Sequence, residues 1–219
     1  MVALYPSLMA GDLLDLRGEL KKLEPHCAGF HIDVMDFHFV PNITFGFDTV
    51  NTIRKACKKR LWVDLLVDYP QAMFDLFSLQ PGDILTVHLE CKGINHQQGL
   101  LDDIAEQLHA KGLLLALAIS PKTTTKIFEQ VLDYVDILVL MGVQPGFSGQ
   151  KFSPQTITKL EETHRIVSKA HRKILIGLDG GVDEDTYPSI KKVGVDLVAL
   201  GSGVFERSDA IKALKWYEQ

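Results

Sequence analysis

Along the chain, short apolar runs alternate with longer amphipathic stretches. Eight runs read as strands: 2–5 (VALY), 30–35 (FHIDVM), 61–67 (LWVDLLV), 83–89 (DILTVHL), 113–119 (LLLALAI), 136–141 (DILVLM), 173–179 (KILIGLD) and 196–201 (DLVALG). Each is short and nearly continuous in apolar residues, the pattern of strands covered on both faces of a parallel sheet. Helical stretches are predicted over 12–24, 48–58, 70–78, 96–110, 122–132, 153–171, 183–193 and 203–217. Asp48, Ser153 and Asp183 are suited to open helices, Pro70 and Pro154 to sit in first turns, and Gly29, Gly112 and Gly194 to close helices in a left-handed conformation. Eight strand–helix units in 219 residues average about 27 residues each, the length of one βα unit. The predicted fold is therefore a single α/β domain over residues 1–219, a closed (β/α)8 TIM barrel. An open doubly wound sheet would carry a glycine-rich turn after its first strand, and here that turn reads YPSLMAGD.

Composition narrows the function classes. Lys plus Arg number 23 and Asp plus Glu 28, so the net charge of −5 argues against a nucleic-acid backbone binder. It leaves room for one small phosphate held locally. The three cysteines, Cys27, Cys57 and Cys91, form no CxxC and are odd in number, which favours a reducing compartment over a disulfide framework. The start of the chain lacks the pattern of a secretory signal. The longest apolar run, 113–119, is far short of the roughly 20 residues that span a bilayer. No membrane partner is expected, and the expected location is cytoplasmic.

In a (β/α)8 barrel the chemistry lies at the C-terminal ends of the strands. Polar residues inside apolar strands persist there when they are paired, metal-bound or catalytic. His31 and Asp33, two apart on one strand, point to the same side. Asp64 and Asp179 occupy comparable places on the third and seventh strands. One imidazole and three carboxylates at one mouth suit a divalent transition ion, or else salt bridges to lysines. Pro145 to Gly149, Gly180-Gly181 and Gly201-Ser202-Gly203 follow strands 6, 7 and 8. Glycines on three adjacent strands favour a backbone cradle for a phosphate over mere tight turns. His88 and Glu90 read as substrate-orienting groups or a core pair, Met9, Met35 and Met141 as core fillers, and His38 as a structural loop residue. His26, His96, His109, His164 and His171 read as solvated.

PSLMAGD (6–12), HIDVMDFHFVPNITFG (31–46), MGVQPGFSGQKF (141–152), LDGGV (178–182) and ALGSGVF (199–205) together resemble the ribulose-phosphate 3-epimerase family over nearly the whole chain. That resemblance implies a barrel of the ribulose-phosphate-binding type and interconversion of D-ribulose 5-phosphate and D-xylulose 5-phosphate in the pentose phosphate pathway. It implies Asp33 and Asp179 as the acid/base pair, and His31, Asp33, Asp64 and Asp179 around one divalent ion (Zn, Fe, Mn or Co). It implies contact of Ser7 with substrate. Gly146, Phe147, Ser148, Gly149, Gly180, Gly181, Gly201 and Ser202 would line the sugar phosphate, and a homo-oligomer is expected.

Two positions depart from the family pattern. Asp64-Leu65-Leu66 stands where the family usually has His-Leu-Met, and Phe37 where it usually has Gly. These departures leave open a related hexulose 6-phosphate of the allulose type, or a sugar-phosphate-binding barrel with impaired turnover. The lyases of similar barrels, by contrast, use D-x-K-x-x-D on the third strand. Val63-Asp64-Leu65-Leu66-Val67-Asp68 has no lysine and the wrong spacing.

Overall fold

In the computed structural model, which describes residues 1–94 and 100–219, the eight apolar runs form one parallel sheet. Its strands are β1 (Ala3–Pro6), β2 (Gly29–Met35), β3 (Arg60–Leu66), β4 (Ile84–His88), β5 (Leu114–Ile119), β6 (Ile137–Met141), β7 (Leu175–Asp179) and β8 (Leu197–Leu200). Neighbours follow chain order from β2 to β8, and β8 pairs with β1. The ring closes through a parallel bridge between Ser7 and His31, just past the end of β1. The surrounding helices are α1 (Leu16–Leu23), α2 (Phe47–Ala56), α3 (Leu100–Ala110), α4 (Gln155–Val167), α5 (Tyr187–Val193), α6 (Ser202–Phe205) and α7 (Ala210–Tyr217). The predicted start of the fourth helix at 96, with His96, lies outside the described residues.

Side chains of a strand alternate between two faces, so the sheet builds two apolar layers. Phe30, Ile32 and Val34 of β2 face outward and join the cluster shared with helix residues such as Leu20, Leu23, Val50 and Ile53. Tyr5, Trp62, Ile84, Ala116, Val139 and Leu197 belong to a second cluster inside the ring. Trp62 is completely buried, and its indole Nε1 donates to Thr86 Oγ1 at 2.7 Å. Its ring meets Tyr5 edge-on at 5.4 Å and His31 at 4.8 Å. A Cβ on Gly177 of β7 would lie 3.5 Å from the far edge of this indole. Trp62 therefore crosses the barrel and forms a packed floor beneath the mouth.

The helical layer departs from the predicted one where local chemistry is unfavourable. Residues 70–78 yield a 3-10 helix, Pro70–Leu76, and 122–132 another, Thr125–Gln130, after a run of three threonines whose branched side chains disfavour the α-helix. The closing stretch 203–217 is two helices, because Asp209 caps α7 by accepting from the amides of Ile211 and Lys212. Asp48 lies inside the first turn of α2, where Gly46 is the cap, and Pro154 takes the cap position of α4, with Ser153 just before it accepting from the Thr156 amide through its carbonyl and not its side chain. Asp183 acts one turn early, accepting from Asp185 and Thr186 before α5 begins. Gly112 and Gly194 take the expected left-handed form, but Gly29 begins β2, where a Cβ would sit 2.1 Å from the Arg60 carbonyl oxygen. All three cysteines are buried and free. Among the described residues, no helix is long and apolar enough to cross a membrane.

Candidate active site and metal centre

The parity that turns Trp62 inward also turns Asp64 inward, two residues nearer the mouth. Strand register then places His31 beside Trp62 and Asp33 beside Asp64. Asp179 ends β7, on the strand next to Met141 of β6. Strands β1 and β8 separate Asp33 from Asp179, so the two carboxylates approach the mouth from different sides. His31, Asp33, Asp64 and Asp179 each offer a ligand atom, and these atoms lie within 4.8 Å of one another.

Short contacts fix the cluster. Ser7 Oγ donates to Asp33 Oδ2 at 2.9 Å, and His31 Nδ1 stands 3.4 Å from both Ser7 Oγ and Asp33 Oδ2. Thr44 Oγ1 donates to the Asp33 carbonyl oxygen at 2.6 Å, which ties the loop after β2 to the strand. His88 of β4 points its Nε2 at the Asp64 carboxylate, 3.1 and 3.3 Å from its two oxygens. The ion pairs of Asp33 and Asp64 among the described residues are with histidines, not with lysine or arginine. His31 Nε2 is buried and has no partner among the described residues. An unpartnered imidazole nitrogen beside three converging carboxylates is a donor set that fits a divalent cation.

The two outer carboxylates are electrostatically unlike. Burial pushes the Asp179 carboxyl up to about 7; His31 opposes this, and the Asp33 and Asp64 carboxylates add to it. Burial also disfavours a charged Asp33, but His31 and the Ser7 hydroxyl outweigh it and hold that carboxyl below its ordinary range. Burial likewise works against a charged His31, yet the surrounding carboxylates, Asp33 foremost, raise it to about 9. At neutral pH the cluster's own side chains thus set one carboxylate ionised and leave one that readily holds a proton.

Above the cluster is a cavity whose walls include Ser7, Asp33, Asp179, Gly180, Gly181, Gly201 and Ser202, together with the loop from Pro145 to Gln150 that contains Gly146, Phe147, Ser148 and Gly149. His31 and Asp64 lie deeper, fully buried. Gly180 and Gly181 have φ of +96° and +70°, and Cβ atoms there would come within 2.5 Å of Val143 and 2.8 Å of Phe152. Only glycine fits this approach of the two loops. Gly201 and Ser202 stand at the start of α6. Met9, Met35 and Met141, read from sequence as core fillers, line the cavity, and so does Leu66. Met35 and Leu66 follow Asp33 and Asp64 by two residues, a spacing that already placed them on the same face.

Other candidates lie apart from the cavity. Glu90 is not paired with His88; it accepts from the Ser120 amide and from Thr123 Oγ1. His109 is bound to Asp136 at 2.7 Å and His164 to the Gly194 carbonyl at 2.8 Å, so neither is merely solvated. Asn42 and Gln150, unremarked in the sequence, hold the loop after β6 through the carbonyls of Gly146, Gln144 and Phe147.

A closed ring of parallel strands with an acid–imidazole cluster at their C-terminal ends is the layout of a (β/α)8 barrel enzyme. A sequence profile of the ribulose-phosphate 3 epimerase family matches residues 3–205. The chain belongs to the ribulose-phosphate 3-epimerase family and is an epimerase. It is 36% identical to the ribulose-phosphate 3-epimerase of Bacillus subtilis over 216 residues, 98% of this chain and 97% of the relative. It is 34% identical to that of Rhodobacter capsulatus, covering 94% and 86% of the two chains. Among solved structures, the 3-hexulose-6-phosphate synthase of Salmonella typhimurium superposes with a TM-score of 0.70 at 18% identity, covering 100% of this chain and 97% of the other. An orotidine 5'-monophosphate decarboxylase from Methanocaldococcus jannaschii gives 0.63 at 15%, covering 100% and 98%. These two likenesses show the barrel fold alone.

Proposed function

We propose that this protein inverts C3 of D-ribulose 5-phosphate to give D-xylulose 5-phosphate, using Asp33 and Asp179 as a two-sided acid/base pair. The observation that carries this reading is that Asp33 and Asp179, on β2 and β7, line one cavity from different sides, and their electrostatic contrast accords with it. Pairs of titratable groups pushed apart in this way divide into a base and an acid.

In one direction an ionised aspartate removes the C3 proton, the C3–H electron pair becomes the C2=C3 double bond, and the C2 carbonyl π pair moves onto its oxygen, giving an enediolate. The other aspartate, protonated, returns a proton to C3 on the opposite face as the carbonyl re-forms. The roles exchange in the reverse direction. A free aspartate, with a pKa near 3.9, is a weak base toward a carbon acid, so the enediolate charge must be stabilised as it forms. His31, Asp33, Asp64 and Asp179 would hold one divalent cation, which supplies that stabilisation when bound. Ser7 holds Asp33 at a fixed angle through the 2.9 Å hydrogen bond. Gly146, Phe147, Ser148, Gly149, Gly180, Gly181, Gly201 and Ser202 receive the phosphate end, and this remote binding fixes C3 between the two acids. Residues 1–219 act as one catalytic domain.

The test is a coupled assay on ribulose 5-phosphate with Fe2+, Mn2+, Co2+ or Zn2+ added, and allulose 6-phosphate as the competing substrate. Turnover in deuterated water should place deuterium at C3. Asp33→Asn and Asp179→Asn should each lower turnover by about 10²–10⁴-fold. Near wild-type turnover in either variant overturns the assignment.

A further inference from the structure

His88 lies outside the four-residue cluster, yet it touches one member of it. It is completely buried at the end of β4, with its Nε2 shared between the two oxygens of Asp64. Asp64 is 1% exposed, and His88 is its side-chain partner among the described residues. A carboxylate only accepts, so Nε2 of His88 carries the hydrogen and the tautomer is fixed. The ring is braced by Phe39, whose centroid is 5.1 Å away. His88 is thus held by hydrogen bonding through Nε2 alone, its Nδ1 being buried without a partner among the described residues, and the Asp64 oxygens keep lone pairs directed away from it. Asp64 and His31, whose Nε2 is buried without a partner among the described residues, each offer a ligand atom to the same four-residue cluster.

Three of the four donors are carboxylates. Oxygen donors suit Mn2+, whereas each nitrogen in place of an oxygen favours Zn2+ more strongly. We propose that His88 is a positioning residue that aims the Asp64 carboxylate into the cluster, and that Asp64 holds the site's preference toward Mn2+-type cations. This rests on the cation reading above. Partners that orient a metal ligand through a hydrogen bond are commonly worth 10–100-fold in affinity.

The experiment is calorimetric titration of the full-length, chelator-treated protein with Mn2+ and with Zn2+. One Mn2+ per chain in the wild type, lost in Asp33→Asn, tests the cation reading itself; absence of binding defeats that reading and the proposal with it, whereas binding unaffected by His88 defeats the proposal alone. Given binding, His88→Leu should weaken Mn2+ affinity by about 10–100-fold, and His88→Gln, whose amide N–H reaches toward the same place, should restore most of it. In an Asp64→His background, His88→Leu should change affinity less than about threefold, because no carboxylate remains to be aimed. Asp64→His should raise the ratio of Zn2+ to Mn2+ affinity at least about tenfold. Equal losses from His88→Leu in both backgrounds, or no loss in either, overturn the positioning role. An unchanged Zn2+ to Mn2+ ratio overturns the selectivity. If His88→Leu does not fold, His88→Ala replaces it in both backgrounds: a loss with Asp64 present that His88→Gln largely restores and that shrinks below about threefold with Asp64→His supports the role, and identical losses, or none, sink it.

Discussion

The side-chain amide of Asn42 donates to the carbonyl oxygen of Gly146 at 2.8 Å, joining the loop after β2 to the loop after β6 across 104 positions of sequence. Asn42 Oδ1 accepts from the Ile43 amide, so the whole side chain is committed to this bridge. Gly146 is buried and borders the cavity, and Val40 packs 3.3 Å from where its Cβ would be. A buried carbonyl stripped of its donor costs about 1–3 kcal/mol.

Asn42→Ala should therefore loosen the loop proposed above to receive the phosphate end of the substrate. The expected result is a rise in KM of about tenfold, the equivalent of 1.4 kcal/mol, with kcat changed much less. Steady-state kinetics resolves the two. A variant that lost kcat while keeping KM would show that this bridge supports the acid/base pair and not the phosphate loop.

Phe37 has φ of +64°, the one non-glycine residue with positive φ among those described, and its side chain is 62% exposed. Left-handed backbone costs a side-chain-bearing residue roughly 1–2 kcal/mol, and an exposed ring recovers little of that by packing. Phe37→Gly should stabilise the fold by about 0.5–1 kcal/mol, after allowing for the greater freedom of glycine in the unfolded chain. Urea unfolding would register it as a higher midpoint at unchanged slope. A lower midpoint would mean that the ring contributes packing the exposure does not reveal.

At the opposite end of the barrel, Arg54 Nη1 meets Asp83 Oδ1 at 2.9 Å with both side chains buried. Asp83 also accepts from the amides of Leu61 and Gln80, which pins the entry to β3 and β4. Arg54→Met leaves this carboxylate without its counter-charge, and breaking a buried pair from one side costs about 3–5 kcal/mol. Because the pair lies far from the C-terminal strand ends, kcat/KM per folded molecule should stay within about twofold. Denaturant titration alongside kinetics checks both halves. A cost below about 1 kcal/mol would place water at the pair.

The barrel was legible because its strands are covered on both faces, which writes them as unbroken apolar runs between polar stretches. His31 and Asp33 stood out because they interrupt such a run at a spacing of two, and Asp64 and Asp179 did so on their own strands. What escaped was set by contacts distant in sequence. Nothing local marks Asn42 as the partner of Gly146, or His88 as the partner of Asp64. The same holds for Gly29, whose lack of a side chain answers to the Arg60 carbonyl on the next strand and not to a helix end. Asp48 and Ser153 had the chemistry of caps, but residues nearby took the cap positions. Met35 and Leu66 shared the parity of the acids, yet an apolar side chain at a cavity wall reads in sequence like one in the core.

With a cation held as proposed, its removal should cost stability, and Asp64 decides how much. Without a cation, Asp33, Asp64 and Asp179 crowd ligand atoms within 4.8 Å, and the rise of Asp179 to about 7 records the combined penalty of burial and like charge. Asp64→Asn removes one charge while keeping an oxygen that accepts from His88, so packing is preserved. The chelator-treated variant should melt higher than the chelator-treated wild type. With Mn2+ the order should reverse, because a cation at 100 times its Kd stabilises the wild type by about 2.7 kcal/mol and the variant has given up an anionic ligand. Scanning calorimetry of both proteins, with chelator and with Mn2+, gives the four melting temperatures needed. If Mn2+ raised both equally, Asp64 would not be a ligand; if chelator-treated Asp64→Asn melted lower than wild type, the buried His88–Asp64 pair would outweigh the repulsion among the three carboxylates.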